Sequence, residues 1–381
     1  MFDAEDNLFL LPGPVKLHPR ITRSMMVPAI AHRSPEFRTV IRGMTDGLRT
    51  LFQSKKAAVA AMSCSATGAM EAALGALIQR GDRVVVPHNG KFGQRFLTLA
   101  QRVAGDGAIG VASPMGQPVD VAGIRAALAH GGAKAVAMVI NESSTAVKNP
   151  VAEVAELCKE YDALLIADGV TAFGGMDVPM DKLGIDVAVC GSQKAIGAPA
   201  GLAFVAVDPD LVEGLGSAGT YLDLKAHVAK WRQETTPFTP ATHLFLAAAE
   251  ALRMLQAEGV EARAQRNRRL GSAFRTAMAT MGLELLAAPG HESPTLTAVK
   301  YPPGVGDAEI RDRLRQEWGI VVAGGQEPLN GKIFRAAHMG FVSARELAAC
   351  VVAVEECLAR AARTPPTGAA AAAFAREAMG E

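Results

Sequence analysis

The stretch LLIADGVTAFGGMDVPMDKLGIDVAVCGSQK, Leu164–Lys194, decides the architecture. It opens on an apolar run, Leu164–Ala167, that ends at Asp168. A second run, Val187–Cys190, leads into Gly191-Ser192-Gln193-Lys194. Both runs are continuously apolar instead of alternating, which is the pattern of strands covered on both faces. Runs of the same kind stand at Ala57–Met62, Arg83–Val86, Ala108–Ala112, Ala135–Ile140 and Leu202–Val207. Helical patterns lie between them at Thr67–Gln79, Phe92–Val103, Val119–His130 and Val151–Tyr161, the last started by Pro150. Such alternation predicts an α/β fold whose large domain holds a mostly parallel, seven-stranded sheet.

In open parallel sheets, ligands gather at the carboxyl ends of the strands. Asp168 and Lys194 both fall there. A lysine in a Gly/Ala-rich, water-poor turn can have a lowered pKa and form imines. A carboxylate at the end of the preceding strand can hold a cationic ring nitrogen. Pyridoxal phosphate needs that pair. Either residue alone reads as an ordinary surface group; the pairing carries the functional reading.

From Pro240 the pattern changes. A long helical region covers Ala241–Met281, followed by a strand at Thr295–Lys300 and a helix at Asp307–Glu317. Strands near Ile320–Val322 and Lys332–Ala336 come next, and a closing helix starts at Ser343, where Ser343 and Glu346 fit a capping box. This predicts a smaller α+β C-terminal domain. The expected division is an N-terminal segment at 1–20, a large domain at 21–260, a small domain at 261–363 and an Ala-rich tail at 364–381. The tail is expected to fray.

Composition removes other classes. Among 381 residues, 39 Lys and Arg against 38 Asp and Glu leave a net charge of +1. No field recruits polyanions, so neither nucleic acid nor a membrane surface is an expected partner. No apolar run approaches the ~20 residues that span a bilayer, and the start, MFDAEDNLFLLPGP, lacks a secretory leader pattern. Five cysteines, Cys64, Cys158, Cys190, Cys350 and Cys357, form no C-x-x-C and read as reduced thiols of a cytoplasmic protein. The histidines show no H-x-x-H spacing, so no metal site is expected. Gly214–Gly219 matches G-x-G-x-x-G but has neither a strand directly before it nor a helix opening on it, and reads as a loop.

An ordered series of motifs then resembles the class V aminotransferases of fold type I, in the alanine–glyoxylate and serine–glyoxylate group, from Leu10 to about Ala361. The motifs are LLPGPVKLHPRI (Leu10–Ile21), HRSPEF, SATGAMEAAL (Ser65–Leu74), HNGKFGQRF, NESSTAV, ADGVTAFGG, GSQK, TPFTPATH (Thr236–His243) and KIFRAAHMGF. The resemblance implies pyridoxal 5'-phosphate as cofactor, held on Lys194 and protonated at its ring by Asp168. It implies Ser65, Ala66 and Thr67 as a phosphate loop at a helix start, where free amides meet the anion, with Gln193 reaching the same phosphate. Gly is usual where Ala66 and Ala146 stand. Phe92 takes the ring-stacking position, and Ser143 a contact to a cofactor hydroxyl or nitrogen. Gly13 belongs to the segment over the active site and counts among the substrate-binding residues. Thr239, or as second choice Thr236, would reach the neighbouring subunit's phosphate in a homodimer. Arg335 would grip the substrate carboxylate, its planar fork suiting two parallel hydrogen bonds.

The implied reaction is a ping-pong transfer of an amino group from alanine, serine or a similar amino acid to glyoxylate or pyruvate. Three alternatives share the fold. An aspartate aminotransferase would use His32-Arg33 on a side-chain carboxylate. A pyridoxamine–pyruvate aminotransferase places an acid in the phosphate loop, and Ser65-Ala66-Thr67 has none. A cysteine desulfurase-type lyase carries a histidine before the lysine, where Gln193 stands here.

Overall fold

Seven strands form one sheet in the order Ala58–Met62, Ala203–Val207, Val187–Gly191, Leu164–Asp168, Ala133–Val139, Arg83–His88 and Ala108–Ala112. The computed structural model describes residues 7–217 and 219–380. All strand pairs are parallel except those of Ala203–Val207, which runs against both of its neighbours. The strands at Ala58–Met62, Val187–Gly191 and Ala203–Val207 are buried along their whole length. Helices on both faces account for that burial and for the unbroken Ala/Val runs. The seven expected strands all form, with ends that differ by one or two residues or, in Ala133–Val139, shift to an earlier start. Leu164–Asp168 and Val187–Gly191 pair directly, with Asp168 opposite Val189. That register brings the loop carrying Lys194 beside Asp168.

A second apolar core gathers Phe274, Phe334, Leu347 and Val351 around a three-stranded antiparallel sheet of Leu296–Lys300, Ile333–Ala337 and Ala323–Gly324. The N-terminal segment joins it. Leu8–Phe9 pairs in parallel with Ile320–Val321, and Leu10 is buried among the core residues. Leu10 donates its N–H to Val321 O at 2.9 Å and accepts from the Ala337 N–H at 2.8 Å.

The expected helical region Ala241–Met281 is two helices, Thr242–Glu258 and Val260–Thr280. Gly259 separates them at φ +86°, a backbone state closed to a continuing helix. The capping box at Ser343 forms: its Oγ accepts from the Glu346 N–H, and the Glu346 carboxylate accepts from the Ser343 N–H at 2.8 Å. Helices at Pro35–Phe52 and Leu224–Arg232 add to the elements read from sequence.

The frayed tail is corrected. Ala369–Met379 is a helix, and its Ala370 and Phe374 are buried in the second core. Low complexity concealed a strong helix former with one aromatic anchor, and packing of that face supplies what an isolated short helix lacks. Ser272 Oγ also donates to Glu377 at 2.5 Å. Residues 1–6 of the expected N-terminal segment, Glu381 of the tail and Ala218 inside Gly214–Gly219 lie outside the described residues. Within that glycine stretch, a 3-10 turn over Pro209–Gly214 runs into loop, and no helix opens on it. No helix among the described residues is long and apolar enough to cross a membrane. The five cysteines form no disulfide; Cys64 is half-buried and the others are buried.

Candidate active site

A cavity of about 170 Å³ opens at the carboxyl ends of the central strands. Its lining includes Ser65, Ala66, Thr67, Phe92, Ser143, Asp168, Gln193 and Lys194. The structure therefore gathers eight of the residues singled out from sequence. Thr239, Gly13 and Arg335 are not among the lining residues. His32 and Arg33 sit in a turn away from it, with Arg33 exposed.

Each placement has a local cause. The helix Ala66–Leu77 starts at Ser65, whose side chain makes no capping bond; the Gly68 N–H donates to Ser65 O at 2.9 Å, which leaves the Ala66 and Thr67 amides free at the cavity wall. Phe92 opens the helix Lys91–Ala104, whose cap position is Gly90 and offers no side-chain acceptor. The buried carboxylate of Glu142 takes that role from outside. It accepts from the N–H groups of Phe92 and Gly93, each at 3.0 Å, and from the N–H and hydroxyl of Ser144. A Cβ on Gly90 would meet the Glu142 and Ser144 side chains at 2.5 Å, so glycine is what admits the acid.

Asp168 is 3% exposed. One carboxylate oxygen accepts from the Val170 N–H at 2.9 Å, and no cation pairs with it among the described residues. Burial pushes its pKa up to about 6, and the nearby Glu142 charge adds to the rise. Lys194 Nζ donates to Pro12 O at 2.8 Å and lies 5.9 Å from the centre of the Phe92 ring. Burial, followed by the Arg335 charge, lowers its pKa to about 8. The N-terminal segment closes over this lysine. Val15 donates to Gln193 O at 3.0 Å, and Gly13, at φ +123°, leaves no room for a Cβ beside the lysine side chain. Gly13 thus touches the site without lining the cavity.

Arg335 stands on the middle of Ile333–Ala337 and is 6% exposed. Its guanidinium donates to Gly324 O at 2.8 and 3.0 Å and to Ser143 O at 2.6 Å. Burial lowers its pKa to about 10, against the raising effect of Glu142. Carbonyls alone hold this cation. Thr239 is exposed, whereas Thr236 is buried and turns its hydroxyl onto Phe238 O at 2.7 Å.

Four residues escaped the sequence reading although motifs contained or adjoined them: Glu142, Asn141, Thr171 and Arg95. Asn141 donates to the hydroxyls of Thr171 and Thr295, and its own Oδ1 is buried without a partner. The one signal for Glu142 is a helix start with glycine at the cap, which demands an acceptor from elsewhere in the chain.

The family model described as aminotransferase class-V matches residues 23–341. The chain belongs to the class V aminotransferases. It is 36% identical to an uncharacterised aminotransferase of Methanocaldococcus jannaschii, over 93% of this chain and 94% of that one. It is 40% identical to a protein described as a soluble hydrogenase small subunit of a Synechococcus species, over 96% and 97%. The solved structure of ureidoglycine-glyoxylate aminotransferase from Bacillus subtilis superposes with a TM-score of 0.90 at 29% identity, covering 97% of each chain.

As a class V aminotransferase of fold type I, the chain uses pyridoxal phosphate, and its residues fit that group. Asp168 is a buried carboxylate awaiting a cation. The start of Ala66–Leu77 offers unpaired amides to an anion. Asn141 Oδ1 is an orphaned acceptor among the residues lining the cavity.

Proposed function

We propose that this aminotransferase moves an amino group from a small amino acid, alanine, serine or similar, to a 2-oxo acid such as glyoxylate or pyruvate, by a ping-pong sequence. The pairing of Lys194 with Asp168 at adjacent strand ends carries the reading, and it favours transamination over the hydrogenase description of one relative. The glyoxylate named for the Bacillus enzyme supports the acceptor class.

Bound pyridoxal phosphate supplies the electron sink for the bond broken at the amino acid's Cα. In this reading Ser65, Ala66, Thr67 and Gln193 hold its phosphate, Phe92 covers its ring, and Ser143 meets a ring substituent. Asp168 keeps the ring nitrogen protonated; a cation beside it offsets the cost of burying the carboxylate and returns it to the ionised form. Lys194, its pKa lowered to about 8 by burial, holds its Nζ as a neutral amine at mildly alkaline pH. Nζ would take the proton from Cα as base and deliver it as acid to C4′ of the bound cofactor. Pro12 and Gly13 close over it and exclude water, which keeps that proton in place. Arg335 exchanges its carbonyl partners for the α-carboxylate, where a charged acceptor gives the stronger pair.

The enzyme acts as a homodimer in this reading, with the exposed Thr239 donated to the partner subunit's phosphate and Thr236 occupied within its own chain. Reduced thiols without disulfides support a cytoplasmic location. A panel of alanine, serine, aspartate and pyridoxamine assayed against glyoxylate and pyruvate tests the substrate class. Turnover of alanine or serine is expected. Inert amino acids with reactive pyridoxamine would overturn it.

A further inference from the structure

The cofactor phosphate carries close to two negative charges, yet Ser65-Ala66-Thr67 contributes no cation. Two positive side chains line the cavity, Lys194 and Arg95. Lys194 is committed to Pro12 O and, in the chemistry proposed above, to proton transfer. Arg95 is not committed to any acid: it forms no ion pair among the described residues. Its Nη1 donates to Thr67 Oγ1 at 3.2 Å, which stands the guanidinium at the loop itself. Its position one helical turn beyond Phe92 also sets it against that ring, 5.1 Å from the centroid. An exposed arginine held on an aromatic face and a threonine hydroxyl is pre-ordered with most of its donors unused.

We propose that Arg95 is the charge partner of the cofactor phosphate and the residue by which this chain selects phosphorylated over unphosphorylated forms of the cofactor. The inference rests on the reading of Ser65–Thr67 as the phosphate loop. Thr67 orients the fork, the Phe92 ring supports it, and the planar guanidinium would hold the phosphate through its remaining N–H groups. Free amides at the start of Ala66–Leu77 supply dipoles, and Arg95 supplies the full charge that they lack.

The test separates phosphate from ring. Cofactor-free wild type, Arg95→Gln and Arg95→Lys are titrated with pyridoxal phosphate and with pyridoxal, following the visible absorbance of bound cofactor. Arg95→Gln is expected to bind pyridoxal phosphate about 10- to 100-fold more weakly, the loss typical of a charge-assisted pair. Pyridoxal affinity is expected to stay within about twofold, and Arg95→Lys to fall between. Inorganic phosphate should raise the melting temperature of the cofactor-free wild type and lose that effect in Arg95→Gln. Equal weakening of both ligands would overturn the proposal, leaving Arg95 a support for Phe92; unchanged affinities would overturn it as well. If Arg95→Gln fails to fold, Arg95→Lys decides by the same ratio of the two affinities. A wild type that binds neither ligand would instead sink the reading of the cavity as the cofactor site.

Discussion

The floor of the cavity and the roof over Lys194, whose residues stand outside the cavity lining, are built by different means. The floor is set by two adjacent parallel strands: Asp168 ends one, paired with Val189 of the other, and Lys194 follows three residues past the end of that second strand. The roof comes from far along the chain, with Pro12 and Gly13 from the N-terminal segment and Arg335 from the three-stranded sheet. Its side chains and backbone meet carbonyls and one lysine, not a sheet ladder. The floor holds charges whose pKa values burial displaces toward neutrality at working pH. The roof holds a guanidinium that stays charged. In the proposed mechanism, chemistry therefore belongs to the floor, selection and water exclusion to the roof.

The largest expected effect is on the floor. Lys194→Ala should lower turnover by about 10⁴-fold or more and abolish the visible absorbance of bound cofactor. A variant that kept both would break the distinction. Asp168→Asn should lower kcat by about 10²- to 10⁴-fold with modest change in KM, measured by steady-state kinetics. The same variant carries a stability signature. Asp168 has its folded pKa raised from 3.8 to about 6, so the folded chain binds the extra proton between those values. Its charged form is a cost present in full above about pH 6 and absent below about pH 4. Calorimetry of cofactor-free protein should show Asp168→Asn melting above wild type at pH 8, the gap closing as pH falls through that window.

On the roof, Arg335→Lys should raise KM for α-carboxylate substrates about 10- to 100-fold and change kcat less, since a point charge replaces a bidentate fork. A pure kcat effect would merge the two regions. The smallest expected effect couples them. With Lys194 at about pH 8, the rate of cofactor capture by the cofactor-free enzyme should rise about tenfold per pH unit below that value and level off above it. Arg335 is the second cause of that lowering, after burial, so Arg335→Gln should move the inflection to higher pH. An unmoved inflection would show the roof electrically separate from the floor.

The same division governs what was legible in the sequence. Leu164–Asp168 and Val187–Gly191 announce themselves as unbroken apolar runs, and the chemistry at their ends follows from the general geometry of parallel sheets. The residues of the proposed cofactor cavity stand in compact motifs because each lies within a few residues of a strand end. Glu142 was hidden because it serves amides of Phe92 and Gly93, some fifty residues away in sequence. Arg335's partners Ser143 and Gly324 are backbone carbonyls, which no residue type signals. The tail failed in the opposite direction. Its composition looked structureless, while the spacing of Ala370 and Phe374 on one helical face supplied a buried stripe too narrow to read without its partner.

The N-terminal segment also works as a leash. It is fastened to the second core at Leu10, through Val321 and Ala337, and to the Lys194 loop at Val15, through Gln193. A chain drawn straight from Leu10 to Val15 reaches at most about 18 Å. Were the second core to move from the sheet beyond that reach, one of the two fastenings would have to open. Since Pro12 and Gly13 lie between the fastenings, tension on the leash is felt directly at Lys194.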